Sequence, residues 1–219
     1  MTQIYFTYIL KENHEQLIEK YLSDFPKQFR ERIVKYKRWE DAQLSLLGRL
    51  LLQHGLKKIN KGIHIEELLE YSAYGKPKLK EQQINFNISH SGHIVICVLT
   101  NTSEIGIDIE KMHNVNIEDF KTQMTTSEWD NIDTATNKTE AFFKYWTQKE
   151  AVVKASGKGF SIPLNSFEIS NDQVNINNED FFLKEIILDK NYKCHIAFKE
   201  ELDATILEPL KVDQLHFKL

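Results

Sequence analysis

The sequence predicts an α+β fold built on antiparallel strands. Helical periodicity dominates residues 13–57 and 126–156. Three strand-like runs follow one another between residues 84 and 110, and after Pro163 the chain breaks into short strand-like runs only. Those three observations set the class.

The elements follow in order. Gln3–Leu10 alternates and reads as a first strand, without the basic region and cleavage site of a signal peptide. Asn13–Phe25 reads as a helix with Leu17, Tyr21 and Leu22 inward. Lys27 to about Lys57 reads as one helical stretch, with Leu44, Leu47 and Leu51 at helical spacing. "YGKPKL" is a turn punctuated by Gly75 and Pro77. Strands are expected over Ile84–Asn87, His93–Thr100 and Ile105–Glu110. A helix starts at Thr126–Ile132, capped by Thr126 or Ser127. Thr139–Ser156 is the most regular helix, stopped by Gly157. Short strands are then expected at Ser166–Ser170, Gln173–Asn177, Phe181–Leu188, Tyr192–Lys199 and Ala204–Leu210. A soft division near residue 104 separates 1–104 from 105–219.

Composition narrows the function. With 219 residues the chain can bury a sizeable core, and 41% apolar with 11% aromatic residues is ordinary for a globular protein. A net charge of −4 excludes a generically basic nucleic-acid binder. No run approaches eighteen apolar residues, so no membrane span is expected. Cys97 and Cys194 each sit in an apolar strand pattern. They read as free buried thiols of a reducing, cytoplasmic compartment rather than a disulfide or metal pair.

Five clusters carry possible chemistry. In "IGIDIE" the strand alternation puts Asp108 and Glu110 on one face and the isoleucines on the other. Alone this fits a solvated edge-strand face as well as a cation site. Oxygen ligands without His or Cys neighbours point to Mg²⁺, which usually also holds phosphate oxygens. In "WTQKEAVVKASGKG" Glu150 and Lys154 share a helical face. That is a surface ion pair on most helices, but Phe142, Phe143 and Trp146 mark this helix as largely buried. "FNISHS" sets Asn87, Ser89, His90 and Ser91 directly before an apolar run, where a fold does not need them. His90 alone fits a satisfied core or turn histidine, whereas the group together suits an anion. Lys76 in "YGKP" fits a solvated loop lysine or a phosphate contact. The basic run Arg30, Arg32, Lys35, Lys37, Arg38 fits a wet helix face. Acidic ligands, a proton acceptor and cations together suit chemistry on a polyphosphate ester.

The motifs "YGKP", "FNISHS", "GIDIE", "WTQKEAVVKASGKG" and "SIPLNSF" occur in the order and spacing of the 4'-phosphopantetheinyl transferases. The chain resembles the double-length, monomeric branch of that family, which activates peptide and polyketide synthases. The resemblance implies two α+β halves related by a pseudo-two-fold. Each has an antiparallel sheet packed with a long helix, and the active site lies in the cleft between them. It implies transfer of the phosphopantetheine arm of coenzyme A to a serine of an apo acyl or peptidyl carrier protein, in fatty acid or nonribosomal peptide synthesis. It places Ser89 and His90 at the coenzyme phosphates, and Gly75, Lys76 and Pro77 at the adenine and 3'-phosphate. It makes Asp108, Glu110 and Glu128 ligands of Mg²⁺, Glu150 the base and Lys154 the pyrophosphate lysine. Lys149 also matches a family position, without a clear role. The family commonly has an arginine just after Asp-Ala-x; here Leu44 stands there, with Ser45 keeping the neighbouring polar position at the coenzyme. Any remaining grip on the 3'-phosphate is then expected from Lys76 and His90. A Mg²⁺-dependent phosphoesterase and a non-catalytic carrier-binding module are the alternatives.

Overall fold

The computed structural model describes residues 2–59, 68–80, 84–200 and 207–217. The architecture is α+β, in four layers: helix, sheet, sheet, helix. The first sheet has the order β10-β1-β5-β4, with β1 at Thr2–Tyr8, β4 at Asn85–Ser91, β5 at Ile94–Thr100 and β10 at Pro209–Lys211. The second has the order β6-β9-β8-β7, with β6 at Ile105–Lys111, β7 at Gln173–Ile176, β8 at Glu179–Glu185 and β9 at Tyr192–Phe198. A small hairpin, β2 (Leu69–Tyr71) with β3 (Pro77–Leu79), carries the "YGKP" turn, where Gly75 takes φ 81°.

Alternation along the strands builds the layers. Tyr5, Val95, Cys97 and Leu99 face the helices α1 (His14–Tyr21), α2 (Lys27–Lys35) and α3 (Trp39–Lys58). Ile4, Phe6, Ile94, Ile96 and Val98 face the other way and meet Ile105, Ile107, Ile109, Cys194 and Ile196 of the second sheet. That sheet's far face packs Ala197, Phe181 and Leu183 on the long helix α5 (Lys138–Ser156), which follows α4 (Thr126–Thr134). Each sheet therefore carries one long helix. Cys97 and Cys194 are free and buried, and among the described residues no helix is long and apolar enough to cross a membrane.

Several sequence expectations change. The single helix expected from Lys27 to Lys57 is two, because Tyr36 and Arg38 are extended. The basic stretch around them offers the core nothing after Ile33. The cap of α4 is Thr125, not Thr126 or Ser127: Thr125 and Glu128 form a reciprocal capping box. Ser166–Ser170 is not a strand: only Ser170 bridges, to Gln173, and the middle of the segment turns to side chains. Ile169 N donates to Glu128 Oε1, and Phe167 O accepts from Lys149. The last strand pairs in parallel with β1, so the C-terminal stretch joins the N-terminal sheet across the expected division at 104. Residues 204–206 of that expected strand lie outside the described residues.

Candidate active site

The two sheets meet edge to edge at β4 and β6, and the polar run of β4 makes the junction. The strand is longer than expected and includes Ser89, His90 and Ser91. Asn87, Ser89 and Ser91 fall on one face. Their side-chain oxygens accept from the backbone N–H of Ile107 (2.9 Å), Ile109 (3.3 Å) and Lys111 (3.1 Å). The side chains of one edge strand thus supply the acceptors that a neighbouring strand's carbonyls would provide.

The serines also hold the carboxylates. Ser89 Oγ donates to Asp108 Oδ1 (3.2 Å) and Ser91 Oγ to Glu110 Oε2 (2.6 Å). The face bearing Asp108 and Glu110 is not a solvated edge. It is covered by α5, and Asp108 is 3% exposed. Gly106, on the same face, lets α5 come this close. The helix brings Lys154 onto the site: its Nζ donates to Asp108 Oδ1 (2.6 Å) and to Ser89 Oγ (3.1 Å). Glu150, one turn earlier, is half-buried. Burial, then repulsion from Asp108, holds its carboxyl above the usual carboxylate range. Burial is also the main cause that raises Glu110, with Asp108 and Glu150 adding repulsion against the hydrogen bond from Ser91. Three carboxylates therefore crowd one lysine. A cleft of about 250 Å³ opens beside them, lined by Gly75, Lys76, Pro77, Asn87, Glu150 and Lys154 among others.

Glu128, expected at the metal, and Lys149, a family position without a clear role, have other work. Glu128 is 1% exposed, and both its oxygens are engaged. Oε2 accepts from Thr125 N and pairs with Lys149 Nζ at 2.8 Å, and Oε1 accepts from Ile169 N. It is a structural acid, and the third carboxylate beside Asp108 and Glu110 is Glu150 instead. Lys149, fully buried, also donates to the carbonyls of Leu164 and Phe167 and lies 4.4 Å from the Phe167 ring centre. It fastens "SIPLNSF" to α5.

Lys76 is likewise committed. Its ammonium donates to Glu104 Oε2, Ile105 O and Ala155 O, which uses all three donors. It ties the hairpin to the second half, and burial lowers its pKa despite Glu104. A 3'-phosphate contact through this charge would have to displace one of these partners. His90 is exposed on the α3 side of β4; desolvation by the surrounding protein, then Lys154, lowers its pKa against a backbone hydrogen bond and Asp41. Ser45 is half-buried one turn after Asp41 on α3. Leu44 is buried in the first core, so an arginine there would bury an unpaired charge.

Among the described residues no three His, Cys, Asp or Glu side chains converge to hold an ion as they stand. Lys154 occupies Asp108 Oδ1. Yet Asp108 Oδ2 is buried without a hydrogen-bond partner. An orphaned carboxylate oxygen beside two further carboxylates, all hard oxygen donors, fits a divalent cation.

Comparison with known proteins identifies the family. Residues 12–102 match the profile "4'-phosphopantetheinyl transferase, N-terminal" and residues 104–207 match "4'-phosphopantetheinyl transferase superfamily". The chain is 31% identical over 202 residues to the 4'-phosphopantetheinyl transferase gsp of Aneurinibacillus migulanus, covering 89% of this chain and 84% of that one. It is 29% identical to the 4'-phosphopantetheinyl transferase Sfp of Bacillus subtilis (strain 168), covering 95% and 99%. It is 28% identical to the L-aminoadipate-semialdehyde dehydrogenase-phosphopantetheinyl transferase of Mus musculus, covering 86% and 63%. With both halves matched in order and a 31% identical relative covered to 84%, the chain belongs to the 4'-phosphopantetheinyl transferase superfamily.

Proposed function

We propose that this chain transfers the 4'-phosphopantetheine arm of coenzyme A to a serine of an apo acyl or peptidyl carrier protein, releasing 3',5'-ADP. The observation that carries the reading is the convergence of Ser89, Asp108 and Lys154 within hydrogen-bonding distance, beside Glu110 and Glu150. Asp108 and Glu110 would hold Mg²⁺. When bound, the ion supplies positive charge where the pyrophosphate bridge breaks. The chain's own residues do the rest. Lys154 leaves Asp108 and places its ammonium on the phosphate oxygens that gain charge. Glu150, the more basic for its burial, accepts the proton of the carrier serine as its oxygen attacks phosphorus. Gly75 and Pro77 form the cleft wall for the nucleotide end, and exposed His90 offers a donor to its phosphates. Lys111 and Lys121 are exposed, with half-buried Met112 between them in sequence. They suit an acidic carrier surface. Both halves of the cleft lie in one chain, so a monomer suffices, and the Cys97 and Cys194 thiols suit a reducing cytoplasm.

The test is incubation with coenzyme A, Mg²⁺ and several apo carriers, read by mass spectrometry. A phosphopantetheine adduct on the carrier serine is expected. Hydrolysed coenzyme A without an adduct would make the chain a phosphoesterase, and carrier binding without chemistry would make it a binding module. In the same assay Asp108→Ala abolishes transfer, and Glu150→Gln lowers kcat by roughly 10²–10⁴-fold if Glu150 is the base. A Glu150→Gln enzyme restored by more Mg²⁺ would instead make Glu150 a cation ligand.

A further inference from the structure

We propose that Ser91 is a positioning residue for the divalent cation: its hydroxyl orients Glu110 for metal binding. This rests on the reading of Asp108 and Glu110 as cation ligands.

The seam between β4 and β6 repeats one unit twice. Ser89 accepts from the N–H of Ile109 and donates to the carboxylate of Asp108. Two residues on, Ser91 accepts from the N–H of Lys111 and donates to the carboxylate of Glu110. Each backbone N–H fixes where the serine oxygen lies, and each serine then fixes one carboxylate oxygen. At Asp108 the consequence is visible: Oδ1 is held by Ser89 and Lys154, and Oδ2 is left buried and without a partner. Ser91 does the same to Glu110 Oε2 at 2.6 Å, the shorter of the two serine–carboxylate bonds.

The hydroxyl matters more at Glu110 than at Asp108. Asp108 has a second partner in Lys154, whereas Ser91 is the one hydrogen-bond partner that the described residues give the Glu110 side chain. Glutamate also has one more rotatable bond than aspartate. A half-buried glutamate among like charges swings away unless something holds it. Groups that hold a metal's ligands in this way typically change metal affinity 10–100-fold when removed.

The experiment titrates Mn²⁺ into the coenzyme A-loaded full chain with no carrier present, and free ion is read by electron paramagnetic resonance. Ser91→Ala is expected to weaken Mn²⁺ binding about 10-fold and to raise the Mg²⁺ concentration for half-maximal transfer by the same factor. Ser91→Thr, which keeps the hydroxyl, is expected to retain wild-type affinity. If Ser91→Ala does not fold, Ser91→Cys keeps the volume with a much weaker donor, and weakened binding is again expected. Wild-type affinity in Ser91→Ala or Ser91→Cys, with Glu110→Gln clearly weakened, would overturn the proposal and leave the carboxylate reading standing. Equal weakening in Ser91→Ala and Ser91→Thr would also overturn it, because the seam backbone and not the hydroxyl would then be responsible. Wild-type affinity in Glu110→Gln would overturn both.

Discussion

His195 shows how a single residue can titrate without taking part in the chemistry. It sits on β9 under α5, 1% exposed, with Nδ1 2.7 Å from Thr147 Oγ1. Burial lowers its pKa from 6.5 to about 4. The unfolded chain therefore binds a proton more readily than the folded one. Its contribution to stability is complete above pH 6.5 and is lost as pH falls from 6.5 towards 4. By pH 5 the loss is about 2 kcal/mol. Urea unfolding of wild type and His195→Gln at pH 7 and 5 measures it: the variant should lose less stability on acidification, and equal losses would place the acid sensitivity elsewhere. At this same scale, residue identities alone did not separate Glu128 from the proposed cation ligands. A glutamate opening a helix is equally suited to capping, and only the fold shows both of its oxygens occupied. The Thr125-x-x-Glu128 spacing was the available signal.

Among the elements, α5 and β6 form the contact on which the site depends. A Cβ built on Gly106 would lie 2.1 Å from Ala151 O and 2.3 Å from Ala155 N, both backbone atoms. Gly106→Ala must push the helix off the strand, and with it Lys154 and Glu150. Overpacking of this kind costs about 1–3 kcal/mol. The expected result is a lower urea midpoint together with a fall in kcat/KM for transfer; unchanged kcat/KM would mean the helix yields without moving its side chains. Much of this architecture was legible in the sequence. The isoleucine alternation of β6 gave the two faces, and the regular pattern of α5 gave its length and its Gly157 stop, where φ is 69°. What covers the acidic face was not legible, because alternation says which residues share a side and nothing about what packs there. The break at Tyr36–Arg38 was hidden because good helix formers continue through it. The 166–170 segment read as a strand because its apolar alternation is real, while its hydrogen-bond partners come from α4 and α5, far away in sequence.

The whole molecule is tied together more than a division at residue 104 suggests. Pro209–Lys211 extends the first sheet beside β1, Val212 and Phe217 enter the first core, and Tyr21 Oη donates to Leu215 O. Deleting the chain from Pro209 onward removes two buried apolar side chains from that core, and is expected to cost about 3 kcal/mol or more. Calorimetry of the truncated chain tests this; an unchanged melting temperature would make the C-terminal stretch an ornament on an independent N-terminal half. Between the halves, the seam has a further consequence, for self-association. β4 and β6 are the outer strands of their sheets, the positions at which a strand from another molecule would add on. Here Asn87, Ser89 and Ser91 engage the N–H groups of β6 with short side chains, and each outer strand shields the other. A chain that places its candidate site at a sheet border thereby also keeps that border closed to fibril-like growth.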